Sequence, residues 1–405
     1  MTAPTEQGQA TLWSHKLSIE RTRSETFCAT SLPCAVLCRM NGQYFGRHLA
    51  LLGSVSYILV GVAVVAATRG VNRSATVVVK TMFELLKNHA YSIGVDIGYD
   101  SLRLAQLGSN GNGLTLIAGN HKDRPGNVNP SSTDWQKWAI ETMHLLTAYG
   151  DFRGKEVIAA MPTSEVFIDH IKRPKVEDGK LQETVFTKIK QKLPFESLRE
   201  NTMMQYILME EDNVMVLATE RRKVDRHLAI YEQAGLSIKS IGVWPVALTN
   251  SYVRFFGRRK SDLNATVMLL CIEPDCTNVV VCRHSSMLLA RSIPVGFKQL
   301  DDEQAVTRLV MELTACKRQF SLMYRNGHIE RLLFLSGRAT DKDVFATIAK
   351  QLDMPAQVGD CLAAVEIAKS CRLGAAEADR RETPAVIDRR DPRVNWAVAF
   401  GLSLL

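Results

Sequence analysis

Apolar and polar positions alternate from Ser92 through SIGVDIGYDSLRLAQL, broken once at Gly98. Period-two patterning on both sides of a glycine predicts two antiparallel strands joined by a tight turn, with Gly94 and Gly98 where backbones approach closely. Leu114 to Ala118 continues as a third strand, and the Pro/Gly/Asn/Ser-rich stretch from Arg124 to Ser132 is a loop. Trp135, Trp138, Ala139, Met143 and Leu146 then recur on one side of a helix predicted from Asp134 to Tyr149, with Thr133 or Asp134 as its N-cap.

The next block has a different rhythm. Val157 to Ala160 and Val166 to Ile171 are strands around the Pro162-Thr163-Ser164 turn. Leu181, Val185, Phe186, Ile189 and Leu193 keep helical spacing up to Pro194, and Thr202 to Leu208 with Asn213 to Ala218 make a hairpin. A strand pair, a helix and a second strand pair predict a small α+β domain over 156–218, inserted between 82–155 and 219–262 of a first lobe. Val224 to Ala234 is a helix stopped by Gly235, and Trp244-Pro245 starts another.

From 263 to 405 the logic of the first lobe recurs. Ala265 to Ile272, Asn278 to Cys282 and Met287 to Ser292 are strands, Asp302 to Tyr324 is a long helix, and Leu332 to Leu335 is a buried strand running into Ser336-Gly337. Two halves that each open on strand-turn-strand and then carry a helix predict an internal duplication. The charged, proline-containing stretch 375–392 is read as a mobile loop before a last helix, Asn395 to Leu404.

With 405 residues, 46% apolar and 23% charged, the chain has enough apolar surface for more than one core. Its net charge of +8 is concentrated at one end: residues 1–81 hold eight basic side chains against three acidic ones. The rest has no basic stripe interleaved with aromatics, which argues against a nucleic-acid partner. Residues 49–68, LALLGSVSYILVGVAVVAAT, are long and apolar enough to cross a bilayer and on that reading form a membrane anchor. The competing expectation is that 1–81 is an N-terminal extension from a misplaced start codon, with Met82 opening the folded protein. Nine cysteines without a Cys-x-x-Cys pair, and histidines without metal spacing, argue against zinc and for a reducing compartment.

Asp96-Ile97-Gly98-Tyr99-Asp100-Ser101-Leu102-Arg103 resembles the first phosphate loop of the actin, sugar kinase and heat-shock ATPase superfamily. More widely, residues 82–405 resemble the PilM proteins of type IV pilus assembly. The resemblance runs through MFELLKNHAYSIGVDIG, VIAAMPTSEVFIDHIKRPK, KIKQKLPFESL, VLATERRKVDRHLAIYEQAGLSIKSIGVWPVAL, RSIPVGFKQL, VMELTACKRQFSLMYRNGHIERLLFLSGRA and VNWAVAFGLSLL, in that order. It implies an actin-like (ribonuclease H-like) two-lobed α/β fold with a small inserted α+β domain, as in FtsA. It also implies a cytoplasmic adaptor, peripheral at the inner face of the inner membrane. Such an adaptor binds the cytoplasmic tail of a PilN-like membrane protein, meets other pilus platform proteins and associates with the membrane through its partner.

The resemblance further implies a site for ATP and Mg formed by Asp96, Gly98, Ser101, Arg103, Thr277 and Gly337, with Asp96 organising the metal. Departures from the family pattern count against that site. Where the second phosphate loop would read Asp-x-Gly-x-x-x-Thr, this chain has Cys271-Ile272-Glu273-Pro274-Asp275-Cys276-Thr277, so a thiol replaces a carboxylate and Glu273 replaces a glycine. A glutamate there directs negative charge at the phosphates. Arg338 replaces the second glycine of the adenosine loop, and Arg103 stands where lysine is common. No catalytic residue is assigned. The competing readings are an active ATPase or kinase of the superfamily and the cytoplasmic subunit of a type II secretion platform. Arg221 to Arg226 is a candidate partner contact or a solvated face, and Met203, Met204 and Met209 are core or groove packing.

Overall fold

The computed structural model describes residues 89–405 except 99, 110–112, 131, 326, 336–341, 369–370 and 372–393. The apolar stretch 49–68, the start at Met82 and the loop 375–392 lie outside the described residues. Among the described residues no helix is long and apolar enough to cross a membrane.

The first lobe is built on β1 (Ile93–Ile97), β2 (Ser101–Ser109), β3 (Leu114–Asp123), α1 (Thr133–Tyr149) and β4 (Glu156–Ala160). The chain then leaves the lobe through β5 (Phe167–Lys172), α2 (Asp178–Ile189), β6 (Thr202–Leu208) and β7 (Asn213–Glu220). It returns through α3 (Arg221–Gln233), β8 (Ser237–Gly242) and α4 (Trp244–Ser251). The second lobe follows as β9 (Thr266–Ile272), β10 (Thr277–Arg283), β11 (Ser286–Ile293), α5 (Glu303–Met323), β12 (Arg331–Leu335), α6 (Lys342–Gln351), β13 (Ala356–Gly359) and α7 (Ala397–Ser403).

The two lobes have one topology. The first sheet runs β3-β2-β1-β4-β8 and the second β11-β10-β9-β12-β13. In each, the first three strands are antiparallel and the last two join in parallel. Two-residue strands at His89–Ala90 and Glu366–Ile367 extend the first sheet. The inserted block has its own sheet, β5-β7-β6, closed on one face by Leu181, Val185, Phe186 and Ile189 of α2.

Both faces of each main sheet are covered, which is why the central strands read as near-continuous apolar runs. Ile93, Val95 and Ile97 of β1 face α1 and α3 through Trp135, Trp138, Ile230 and Tyr231. Met268, Leu270 and Ile272 of β9 face α5 and α6 through Leu309, Leu313, Phe320 and Ile348, while Val267, Leu269 and Cys271 turn to the core shared by the lobes. That shared core is an exchange of helices. α4, which ends the first lobe, packs on β9, β10 and β11; α7, which ends the second, packs on β1, β2 and β4; the two helices pack on each other.

Several expectations shift. Glu156–Ala160, expected to open the inserted domain, is β4 of the first sheet, paired in parallel with β1 and β8, so the insertion begins after it. α1 starts at Thr133 and is capped by Ser132, whose Oγ accepts from Trp135 N at 3.1 Å, rather than by Thr133 or Asp134. Ser132 is the last residue with extended backbone, so it alone can reach back to the first turn. β3 runs five residues further than its apolar stretch because Gly119 to Asp123 pair with Ser101 to Ala105 of β2. β8, α6 and β13 are additional to the predicted elements. β8 offers only Ile238 and Ile241 as apolar signal, whereas α6 does carry a helical spacing, in Phe345, Ile348 and Ala349.

Candidate functional site

Hydrogen-bond register places the site. In the first hairpin Asp96 lies opposite Arg103 and Ile97 opposite Leu102; in the second, Cys271 lies opposite Asn278 and Ile272 opposite Thr277. The duplication therefore equates Asp96 with Cys271, Gly98 with Glu273, Ser101 with Cys276 and Arg103 with Asn278. Each turn closes in the same way: Gly98 N donates to Ser101 O at 2.9 Å, and Glu273 N donates to Cys276 O at 2.8 Å.

The two turns meet at Arg103, whose residue surface is only 6% exposed. Its Nη1 donates to Asp96 Oδ2 at 2.8 Å, and its Nη2 donates to Glu273 Oε2 of the other lobe at 3.3 Å. Asp100 Oδ2 stands 3.9 Å from Nη2. On the far side of Glu273, Cys271 Sγ donates to Oε1 at 3.3 Å. Asn395, just before α7, donates through Nδ2 to Leu335 O at 2.8 Å, to Cys271 Sγ at 3.1 Å and to Glu273 Oε1 at 3.5 Å. A second crossing lies nearby, where Asn278 Nδ2 donates to Thr163 Oγ1 at 3.0 Å in the turn after β4.

Burial sets the protonation of this cluster. It pushes Glu273 up to about 7, with Arg103 pulling the other way. It raises Asp96 as well, again against Arg103, and raises the Cys271 thiol well above its ordinary value, with Glu273 adding to the effect. Burial opposes the charge on Arg103, but Glu273, Asp96 and Asp100 more than offset that and hold it protonated.

Of the residues expected to bind nucleotide, Asp96, Gly98, Ser101 and Arg103 come together. Gly337 lies outside the described residues. Thr277 belongs to the opposite face of its sheet: its Oγ1 donates to Val295 O at 2.7 Å, among the residues that pack under α5, while its neighbour Asn278 faces the other lobe. Strand alternation dictates this, since Cys271 and Asn278 share one face and Ile272 and Thr277 the other. Glu273 does not point unpaired charge into a phosphate site, as its place in the sequence suggests, because Arg103 reaches it from 170 residues away.

Magnesium and ATP do not fit this arrangement. Asp96 is already bonded to a fixed cation, the Gly98 amide is spent inside its own turn, and the Thr277 hydroxyl is turned away. Asp96, Asp100 and Glu273 also surround a single guanidinium, so a phosphate would meet an excess of negative charge. Among the described residues of this floor, the buried Ser101 Oγ is left without a partner. What the rest can do together is hold one another across the cleft.

A second buried group lies beside the cleft. Glu165, after β4, accepts from Arg226 and lies 3.0 Å from His227 Nε2, both on α3, and Arg226 stacks over the Trp135 ring at 5.3 Å. Arg222 and Lys223 pair with Glu220 at 2.5 and 2.7 Å, and Arg221 Nε donates to Glu200 O. The basic run from Arg221 to Arg226 is thus engaged within the chain. Of the three methionines, Met204 is in the inserted core and Met209 packs against the shared core. Among the described residues no cluster of His, Cys, Asp and Glu is arranged to hold a metal ion.

The inserted domain is tied to the second lobe. Ala290 N of β11 donates to His170 Nε2 at 3.2 Å, Arg283 pairs with Glu210 at 2.8 Å, and Asn213 Nδ2 donates to Met323 O at 3.2 Å. Glu211 and Asp212 both take positive φ in the β6–β7 turn, which aims Glu211 at the end of α5, where Arg325 N donates to it at 3.0 Å.

No protein-family model matches the chain, and no curated protein does. Among solved structures it is similar to a chain of a PilM–PilN type IV pilus biogenesis complex, at 17% identity and a TM-score of 0.61, over 78% of this chain and 98% of that one. It is more distantly similar to a Bacteroides thetaiotaomicron protein with an actin-like ATPase fold, at 12% identity and a TM-score of 0.41, over 68% and 92% of the two chains. A similar distance separates it from the cytoplasmic domain of EpsL, an inner membrane component of the type II secretion system of Vibrio cholerae, at 10% identity and a TM-score of 0.40, over 70% and 87%. The duplicated sheets, the exchanged helices and the first of these likenesses together give the chain its place: it has the actin-like, ribonuclease H-like two-lobed fold in its PilM-like form.

Proposed function

We propose that this protein is an adaptor of the type IV pilus inner-membrane platform that takes up the cytoplasmic tail of a PilN-like membrane protein beside its inserted domain. The observation that carries the reading is the likeness to a chain of the PilM–PilN complex over 98% of that chain's length. The site supports it from the other direction. On this reading its nucleotide pocket is degenerate, with Asp96, Glu273 and the Thr277 hydroxyl committed to internal partners, so the fold is retained while its chemistry is not. An adaptor needs only the shape. On this reading the protein is cytoplasmic, reaches the membrane through its partner and contacts further platform proteins.

The test is titration of the full chain with a labelled peptide copying the cytoplasmic tail of a PilN-like membrane protein. Peptide-in-groove recognition of this kind gives a Kd on the order of 10 µM, with a scrambled peptide at least about 10-fold weaker. Equal binding of the scrambled peptide, or no saturation below about 1 mM, sinks the reading.

A further inference from the structure

We infer that Arg103 does between the two hairpins what a metal–nucleotide complex would do, so that closure of the lobes is built into the polypeptide and needs no nucleotide. The inference is independent of which partner the protein binds.

The duplication shows how the device is made. Arg103 and Asn278 occupy equivalent positions, each opposite the first residue of its own loop motif, and each reaches across to the other lobe: Arg103 to Glu273, Asn278 to Thr163 Oγ1. The replacement of the second loop's glycine by Glu273 therefore has a purpose. It supplies the acceptor for a cation that the first lobe already carries. Asn395 fixes the opposite edge of Glu273 and bonds Leu335 O, which holds the carboxylate at the end of β12.

The contact is enclosed: the Arg103 and Glu273 side chains are 8% and 15% exposed, so water and salt screen the pair weakly, and removing either member leaves the other buried without its partner. Lysine, with a point-like ammonium, could not serve Asp96 and Glu273 at once in this planar, two-armed way. The inserted domain adds a tie at a distance, through His170, Glu210 and Asn213 to β11, Arg283 of β10 and the end of α5. The hairpins are thus fastened at the cleft and again at its rim.

Two measurements on the full chain test this. In equilibrium dialysis with Mg-ATP the wild type shows no saturable binding up to about 1 mM. Hydrogen exchange then reads the hairpins 93–109 and 266–283 without nucleotide. Arg103→Ala raises exchange on both hairpins by about 10-fold or more, Arg103→Lys by less, and Glu273→Gln, which keeps volume and removes one charge, by several-fold, while amides of α2 in the inserted domain are unchanged. Saturable Mg-ATP binding by the wild type with a Kd below about 100 µM overturns the inference. So does unchanged exchange on either hairpin in Glu273→Gln, the variant that decides the matter if Arg103→Ala fails to fold.

Discussion

Gly401→Ala melts on the order of 10 °C below the wild type, a loss of about 4 kcal/mol, and accumulates poorly in soluble form. A Cβ at Gly401 would stand 1.9 Å from Ala247 O, 2.5 Å from its carbonyl carbon and 2.9 Å from its Cα, all backbone of α4. No rotamer change relieves a clash with backbone, so α7 must move away from α4 and the shared core must open. The other side of α7 has no slack. A Cβ at Gly94 of β1 would lie 2.0 Å from Ala399 O and 2.6 Å from Ser403 N, so Gly94→Ala brings a loss of the same order. Ser403 closes the joint, donating to Ser92 O at 2.8 Å and accepting from Leu107 N at 3.0 Å. Gly126 is the control: a Cβ there meets nothing within 4 Å, and Gly126→Ala stays within about 0.5 kcal/mol of wild type. Calorimetry on the three variants checks the prediction, and a Gly401→Ala melt within about 2 °C of wild type would show that the helices are not packed this closely.

These glycines show how far the sequence can be read. Gly94 is legible as a close approach because it interrupts an otherwise apolar strand, but its neighbour in space, α7, comes from the far end of the chain. Local signals carry the two hairpins, the long helices and the repeat of one half by the other, because alternation and helical spacing are written residue by residue. The exchange of α4 and α7 between lobes leaves no such trace. The site divides along the same line. Asp96, Gly98, Ser101 and Arg103 fall within one turn and its flanking strands, and they are legible as a group. The nucleotide-binding role expected of Thr277 is one that its position on the strand forbids. Setting Asp96-to-Arg103 against Cys271-to-Asn278 exposes the error, since that alignment puts Asn278 and not Thr277 at the place of Arg103. Glu273 reads as unpaired charge because its partner lies in the other lobe. Glu165, buried against Arg226 and His227, gives no signal beyond being an acid after a proline turn.

Between about pH 5 and pH 6.5 the wild type shows nearly constant stability, while His170→Gln and Glu273→Gln show opposite slopes. Two buried groups titrate across the same window with opposite signs. Glu273 moves from an ordinary 4.5 to about 7 on folding, chiefly through burial, so between those values the folded protein holds the proton more tightly than the unfolded chain does. Its contribution is greatest below 4.5 and is lost as pH rises through 7. His170 moves from 6.5 down to about 4, again through burial, with the charge of Asp169 only partly resisting. It must be neutral to accept from Ala290 N, so its contribution is complete above 6.5 and is lost as pH falls towards 4. Each shift is worth on the order of 3 kcal/mol over its full range, and the two nearly cancel where they overlap. Asp96, raised by burial, adds to the Glu273 slope, and the half-buried His284, lowered by burial, adds to that of His170. Removing His170 leaves a protein that loses stability from pH 5 to pH 7; removing the charge of Glu273 leaves one that gains it. Urea midpoints measured at half-unit steps for the three proteins decide the point, and parallel profiles would mean that neither the tie at the cleft nor the dock of the inserted domain holds the proton balance described.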